Sequence, residues 1–455
     1  MTLPERGRIH FIGIGGAGMS AIAKVLIERG HEVSGTDKRE SRATVALSYM
    51  GVRVSIGHNP TLVDGAAAVV YSSAIKADNP ELIAARRVGV VVLHRGEALA
   101  SLLSGSRSIV VAGTHGKTTT SSMILSILSS ANLRPTYVIG GALEDDPINA
   151  GNGGDDIAIA ESDESDGSFL LLDPSIAVIT NIEPDHLDHW GSLQALEEAF
   201  QSFIATADCA VVRSDDKVAR LAADRKGIEL VAYGDDGEVS AGEVSLEAHS
   251  TTFVLMTSGK RAFIQLGVPG RHNLLNALAA AAACLYLGVD IEVIAAGLES
   301  FTGVERRYQL RGNKRNITVI DDYAHHPTEI AATLSAARLG RWRRVIAVFQ
   351  PHLFSRTSAL RAEFGAAFGD ADVVVITDVY AAREDPIAGV TGKTISDAVC
   401  MRMFGRPVAY LPERKELLSY LVARVRPGDL VLTLGAGDIT TLADDLLGAL
   451  DVEAA

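Results

Sequence analysis

This chain of 455 residues has little cysteine, no excess of positive charge and no apolar run of membrane length. Its three cysteines, Cys209, Cys284 and Cys400, lie far apart with no C-x-x-C pair. That pattern points to a reducing compartment and excludes a metal–thiolate site. No H-E-x-x-H run is present, so zinc chemistry has no support in the sequence. Asp and Glu number 56 against 42 Lys and Arg, a net charge of −14. Such a balance disfavours non-specific binding to nucleic acid but leaves room for a local basic pocket. The longest apolar run, residues 277–289, falls short of the ~20 residues that a membrane helix needs, and its alanine richness reads as a buried helix. The charged start leads straight into a strand-like segment at 9–14, without a secretory pattern. A cytoplasmic protein with no membrane partner is expected, as monomer or weak homodimer.

What is present is a globular composition, 47% hydrophobic and 22% charged, in a chain whose length suggests about three domains. Two glycine turns organise it. The second is the more telling: a β-branched run at 109–111 leads into Gly113-Thr114-His115-Gly116-Lys117-Thr118-Thr119 and then a helix-like segment. Strand, turn and helix in that order make a phosphate cradle, because backbone N–H groups at a helix N-terminus face phosphate oxygens and glycine permits close approach. Lys117 would bring positive charge to the β- and γ-phosphates, and Thr118 a hydroxyl for magnesium. The longer Gly-x-x-x-x-Gly-Lys-Thr spacing would need glycine at position 111, where the chain has Val111. The bland alternative is an ordinary strand-to-helix turn with a solvated lysine.

The first turn, Gly13-x-Gly15-Gly16-Ala17-Gly18 with Asp37 after the next strand, satisfies the dinucleotide fingerprint. Alone it would predict a nicotinamide dehydrogenase. The physics is less specific, since such a turn accepts any diphosphate, NAD or UDP-sugar alike. Two phosphate-binding turns about a hundred residues apart suit an enzyme that supplies a nucleotide-linked substrate with energy from ATP. Carboxylates and imidazoles follow later strands: Glu161, with Asp163, Glu164 and Asp166 behind it, then Asp185 and His186. An acid at the tip of a strand beside the phosphate strand can hold magnesium, whereas Asp163, Glu164 and Asp166 read equally as solvated loop residues; the loop of Asp185 and His186, after another strand, is a strong site candidate. Asn273 and Asn276 open the alanine-rich segment and could bracket a base edge or cap a helix. Arg306 and Arg307, then Asp321, Asp322, Tyr323, His325 and His326, end the approach to a third α/β segment.

Taken together, these motifs resemble the Mur ligase family over nearly the whole chain. The marks are Gly13-Ile-Gly-Gly-Ala-Gly-Met-Ser20, Ser72-Ser-Ala-Ile75, Gly113-Thr-His-Gly-Lys-Thr118, Glu161-Ser-Asp-Glu-Ser-Asp166, Thr180-Asn-Ile-Glu-Pro-Asp-His186, Gly270-Arg-His-Asn-x-x-Asn276, Asp321-Asp-Tyr-Ala-His-His-Pro327 and Gln350-Pro-His352. The resemblance implies an α/β chain of three domains. A Rossmann-like domain at 1–106 would bind the UDP substrate and a P-loop domain at 107–311 would bind ATP. A doubly wound domain at 312–455 would close over ATP and amino acid. It implies an ATP- and Mg2+-dependent ligase acting on UDP-N-acetylmuramate, and the motifs stand nearest the branch that adds L-alanine. Gly13, Gly15, Gly16, Ala17, Gly18, Asp37, Ser72, Ser73, His94 and Arg95 would then serve the UDP substrate. Residues 113–119 would cradle ATP, with Lys117 on the γ-phosphate, Asn273 and Asn276 on the adenine side, Arg307 at a phosphate, and Asp322 or Tyr323 at the nucleoside. Thr118 and Glu161 would hold the first magnesium, His186 a second one shared with Glu161, and Arg356 the amino-acid carboxylate. Two departures matter. Residues 192–205 contain no lysine to be carbamylated, and Leu353 stands where some relatives carry arginine.

Overall fold

A computed structural model describes residues 2–141, 146–382 and 384–452. It is an α/β structure in which three sheets carry the parallel strands. The first sheet is five-stranded and wholly parallel, in the order Arg53–Ile56, Val33–Asp37, Arg8–Ile12, Ala66–Tyr71, Val91–His94. Its central strand is buried on both faces, with Ile9, Phe11 and Ile12 fully enclosed, as expected of a parallel strand covered by helices. The second sheet has seven strands: Glu229–Tyr233, Cys209–Arg213, Ile176–Ile179, Arg107–Ala112, Ile157–Glu161, Thr136–Val138 and Ala150–Gly151. It is parallel except for the last pair.

Both glycine turns leave the C-terminal end of a strand flanked on either side, at the point where strand order reverses. That crevice is where open α/β sheets bind ligands. These two sheets belong to one compact unit, made of residues 1–243, 253–265 and 275–304. Within it the helix Lys117–Ser130 packs backbone-close on the helix Ile291–Glu299. A Cβ at Gly297 would lie 2.4 Å from Ile127 Cα, and Ser126 Oγ donates to the Gly297 carbonyl at 2.7 Å. The alanines of the helix Arg271–Tyr286 are buried, as their composition predicts.

The second compact unit takes residues 244–252, 266–274 and 305–455. Its sheet runs Gln309–Lys314, Ile317–Asp322, Asp429–Leu434, Arg344–Phe349, Val373–Ile376, Val408–Tyr410, with the first strand antiparallel and the rest parallel. Val-, Ile- and Leu-rich strands are covered on one face by Phe364 and Phe368, which pack on Phe349, and on the other by Leu417, Leu442 and Leu446. A small three-stranded sheet, Ser240–Leu246, Thr251–Thr257 and Lys260–Leu266, lies between the second and third large sheets in the chain. Among the described residues, no helix is long and apolar enough to cross a membrane.

Candidate active site

The strand Arg107–Ala112 ends at Gly113, whose φ of +132° only glycine adopts readily. A Cβ there would stand 2.2 Å from Thr180 Oγ1. Gly116, at φ +80°, caps the helix Lys117–Ser130 without a side-chain partner, and a Cβ on it would lie 2.4 Å from Asn276 Oδ1. The loop is therefore glycine-dependent at both ends, and Asn276 lies against it. A neighbouring segment clamps the middle. Thr114 N donates to the Asn181 carbonyl at 3.0 Å, and His115 N to Asn181 Oδ1 at 2.9 Å. Thr180 Oγ1 and Asn181 Nδ2 donate to the His115 carbonyl at 2.6 and 3.0 Å. Thr119 is buried in the first turn of the helix.

Lys117 turns back over its own loop. Its ammonium donates to the carbonyls of Gly113 (2.6 Å) and Thr114 (3.2 Å) and to Glu164 Oε2 at 2.8 Å. Asp163 Oδ1 lies 3.9 Å away. Burial pulls the Lys117 pKa down, but the charges of Glu164 and Asp163 outweigh it and leave it raised, so the lysine stays cationic. Burial pushes Glu164 up to about 7, against the lowering pull of Lys117. Burial would also raise Asp163, but Lys117 and then His186, with hydrogen bonds from Ser165, hold it at about 2. The partnership of Lys117 with Glu164 was not read from the sequence, where residues 163, 164 and 166 could equally be solvated. Their signal was the alternation of acids behind Glu161.

Thr118 Oγ1 donates to the Glu161 carboxylate at 2.9–3.0 Å, and Gly140 N donates to the same group at 2.8 Å. A hydroxyl and a carboxylate are hard oxygen donors of the kind magnesium takes, so this pair fits that ion. His186 has φ +53° and its ring lies 3.6 Å from Asp185 Oδ2. The donor group that the structure gathers around His186 comprises Asp163 and Glu164, within 4.8 Å of one another, while Glu161 faces Thr118.

At the N-terminal turn, Gly13 has φ +82° and Gly15 N donates to Asp37 Oδ2 at 2.9 Å, so Asp37 closes the turn from the next strand. The helix Ala17–Glu28 starts at Gly16 with no side-chain cap, leaving its first N–H groups for an anion. Ser72 Oγ lies 3.7 Å from where a Gly13 Cβ would stand. Ser73 hydrogen-bonds to His94 Nε2 at 2.9 Å and donates to Asp166. Arg95, beside Gly18, donates to Asp166 Oδ2 at 2.9 Å. Burial, ahead of neighbouring charges, lowers the His94 pKa.

In the second unit, Asp322 is buried and accepts from Tyr308 N at 2.8 Å and Ala324 N at 2.7 Å. Burial raises it to about 6. Tyr323 is flanked by the guanidinium groups of Arg306 and Arg307 at 5.0 and 5.1 Å from its ring. Arg306 is also tied to Asp321 and to the carbonyls of Gly435 and Gly437, while Arg307 lies 3.4 Å from Glu329. Asn273 Nδ2 donates to the Pro269 carbonyl at 2.8 Å. Arg356 is buried, its guanidinium 3.5 Å from His352 Nδ1. Leu353, at the departure noted in the sequence, takes a left-handed φ of +69°. His326 Nδ1 caps the helix Pro327–Arg338, and burial lowers His325 to about 3.

Three family models match in chain order: the catalytic domain of the Mur ligase family over residues 8–107, the Mur ligase middle domain over 111–284, and the glutamate ligase domain of Mur ligases over 306–437. A UDP-N-acetylmuramate–L-alanine ligase of Renibacterium salmoninarum is 47% identical, over 99% of this chain and 97% of its own. Another from Thermobifida fusca is 45% identical, over 99% and 98%. Among solved structures, the UDP-N-acetylmuramate–alanine ligase of Thermotoga maritima superposes with a TM-score of 0.83 at 31% identity, covering 98% of this chain and all of that one. A murein peptide ligase of Psychrobacter arcticus shares the fold, with a TM-score of 0.72 at 22% identity and 98% of each chain covered.

Proposed function

The chain belongs to the Mur ligase family, and from that premise we propose that it joins L-alanine to the lactyl carboxylate of UDP-N-acetylmuramate, with ATP converted to ADP and phosphate, in peptidoglycan precursor synthesis. One observation carries the reading beyond family membership. A lysine-bearing phosphate loop and a lysine-free glycine turn share one compact unit, as two different nucleotides require. Residues 1–106 serve the UDP substrate, 107–311 ATP and 312–455 the amino acid. Both nucleotide substrates place the reaction in the cytoplasm.

The lactyl carboxylate attacks the γ-phosphorus, the bond to the β-phosphate oxygen breaks, and an acyl phosphate and ADP form. The alanine amine then adds to the acyl carbon and expels phosphate. Lys117 gives up its contact with Glu164 to neutralise the transferring phosphoryl group. Backbone N–H groups at the N-terminus of the helix Lys117–Ser130 hold the β-phosphate side, those of Thr114 and His115 being given to Asn181. Magnesium, held by Thr118 and Glu161, supplies charge neutralisation when bound. Arg356, buried and fixed beside His352, receives the amino-acid carboxylate. His326 Nδ1 is used as a helix cap, and burial lowers the pKa of His325. The test is ADP release with ATP, UDP-N-acetylmuramate and L-alanine, L-serine or glycine in turn. Turnover is expected with L-alanine, and absence of ADP with every amino acid would overturn the reading.

A further inference from the structure

The acidic segment after Glu161 reaches three places at once. Glu161 holds Thr118 and Gly140 N, Glu164 holds Lys117, and Asp166 leaves the phosphate loop for the N-terminal sheet. Asp166 Oδ2 accepts from Arg95 Nη2 at 2.9 Å and from the Ser73 hydroxyl, and Oδ1 accepts from Ser168 N at 3.0 Å. Arg95 also donates to Ser168 Oγ at 3.2 Å. The direction of the proton chain is fixed. His94 Nδ1 accepts from Gly96 N at 3.2 Å, so the neutral ring carries its proton on Nε2 and donates it to Ser73. Ser73 must then give its own proton to Asp166. A serine so arranged is a strut, with its hydrogen committed to a carboxylate, and is not an activated nucleophile. Next to it the backbone is pressed close: a Cβ on Gly96 would lie 2.9 Å from Ser168 Cβ and 3.1 Å from the Ser168 carbonyl.

We propose that Asp166 is a positioning residue that sets the distance between the two phosphate-binding turns, by tying Ser73 and Arg95 to the segment that holds Thr118 and Lys117. The proposal rests on the reading of Ser73 and Arg95 as part of the UDP-substrate site. In-line attack of the lactyl carboxylate needs the two substrates placed to within a fraction of an ångström, and a 1 Å error costs about 10²-fold in rate. Neither turn alone can supply that placement, since each is built from its own strand and helix. The acidic segment contacts the phosphate loop directly and reaches the N-terminal turn through Arg95, which lies beside Gly18.

The experiment uses the full chain. ADP formation is followed in a single turnover with ATP and UDP-N-acetylmuramate and without L-alanine, so that only acyl-phosphate formation is read. Asp166→Asn is expected to slow this step by about tenfold or more, while the KM for ATP stays within about twofold. Combining it with Ser73→Ala should slow the step no further, because both remove the same strut. A wild-type rate in Asp166→Asn, or single effects that multiply in the double variant, would overturn the proposal. Should Asp166→Asn not fold, Ser73→Ala carries the test: a rate drop of several-fold at unchanged ATP KM and unchanged calorimetric affinity for UDP-N-acetylmuramate supports it, and an unchanged rate, or a drop accounted for by lost affinity, refutes it. Calorimetric binding of UDP-N-acetylmuramate separates the two layers of the reading. If Gly15→Ala and Arg95→Gln both leave that affinity unchanged, the UDP-site reading fails. If they weaken it while Asp166→Asn keeps the wild-type rate, only the positioning role fails.

Discussion

At Gly113 and Gly116 a methyl group would stand 2.2 Å from Thr180 Oγ1 and 2.4 Å from Asn276 Oδ1, whereas at Gly16 of the N-terminal turn the nearest heavy atom is 3.6 Å away. The ATP loop is enclosed by side chains from a neighbouring strand and a distant helix, and its charge comes from a lysine. The N-terminal turn is closed at Gly15 by Asp37, Thr44 and Ser41 but is open at Gly16, where it offers an uncapped helix end. The same motif class thus serves two tasks. A transferred phosphoryl group needs fixed positive charge where negative charge develops. A diphosphate that is only held needs N–H groups and room.

The contrast can be broken at its strongest point first. Lys117→Ala should lower ADP release by about 10²–10³-fold or more, with calorimetric affinity for UDP-N-acetylmuramate kept, because only the first task uses the lysine. Weakened UDP-substrate binding in that variant would mean that the two turns are not separable. Gly113→Ala combines backbone strain of ~1–3 kcal/mol with displacement of Thr180, and should lower Tm by roughly 2–10 °C and raise the ATP KM. Gly15→Ala puts a methyl 2.8 Å from Thr44 Cγ2 and 2.9 Å from Asp37 Oδ2 without backbone strain. It should raise the KM for UDP-N-acetylmuramate by roughly tenfold and leave that for ATP alone. Gly16→Ala, with only ordinary contacts within the chain, should change Tm by less than about 2 °C and leave the KM for ATP alone.

A pH experiment sharpens the same contrast. Glu164 titrates at about 7 in the folded chain against an ordinary 4.5, chiefly because it is buried. A raised pKa means that the folded state binds this proton more tightly than the unfolded state. The contribution is complete below about 4.5 and lost as pH rises through about 7. Glu164→Gln should therefore flatten the fall in Tm across that window, measured by calorimetry at several pH values. An unchanged slope would show that Glu164 is ionised throughout.

Much of this was legible in the sequence because it is local. Strand–glycine–helix order placed both turns, and alternating βα segments foretold the parallel sheets. The acids at strand tips marked Glu161. What was not legible depends on contacts between residues far apart in the chain. That Lys117 rests on Glu164, 47 positions on, and Arg95 on Asp166, 71 positions on, follows from how sheets pack and leaves no spacing to read. Asp322 shows the converse. The family resemblance implied a nucleoside contact at Asp322 or Tyr323; the Asp322 carboxylate, at the end of its strand, is buried against the N–H groups of Tyr308 and Ala324. Spacing located the residue and burial determined how its oxygens are used.

The inward fold of Lys117 has a consequence for idle chemistry. An ammonium has three hydrogens, and here each has an acceptor: two loop carbonyls and Glu164. Free phosphate or any stray polyanion must displace that set with little to offer in return. A nucleotide brings further contacts along the loop and repays the exchange.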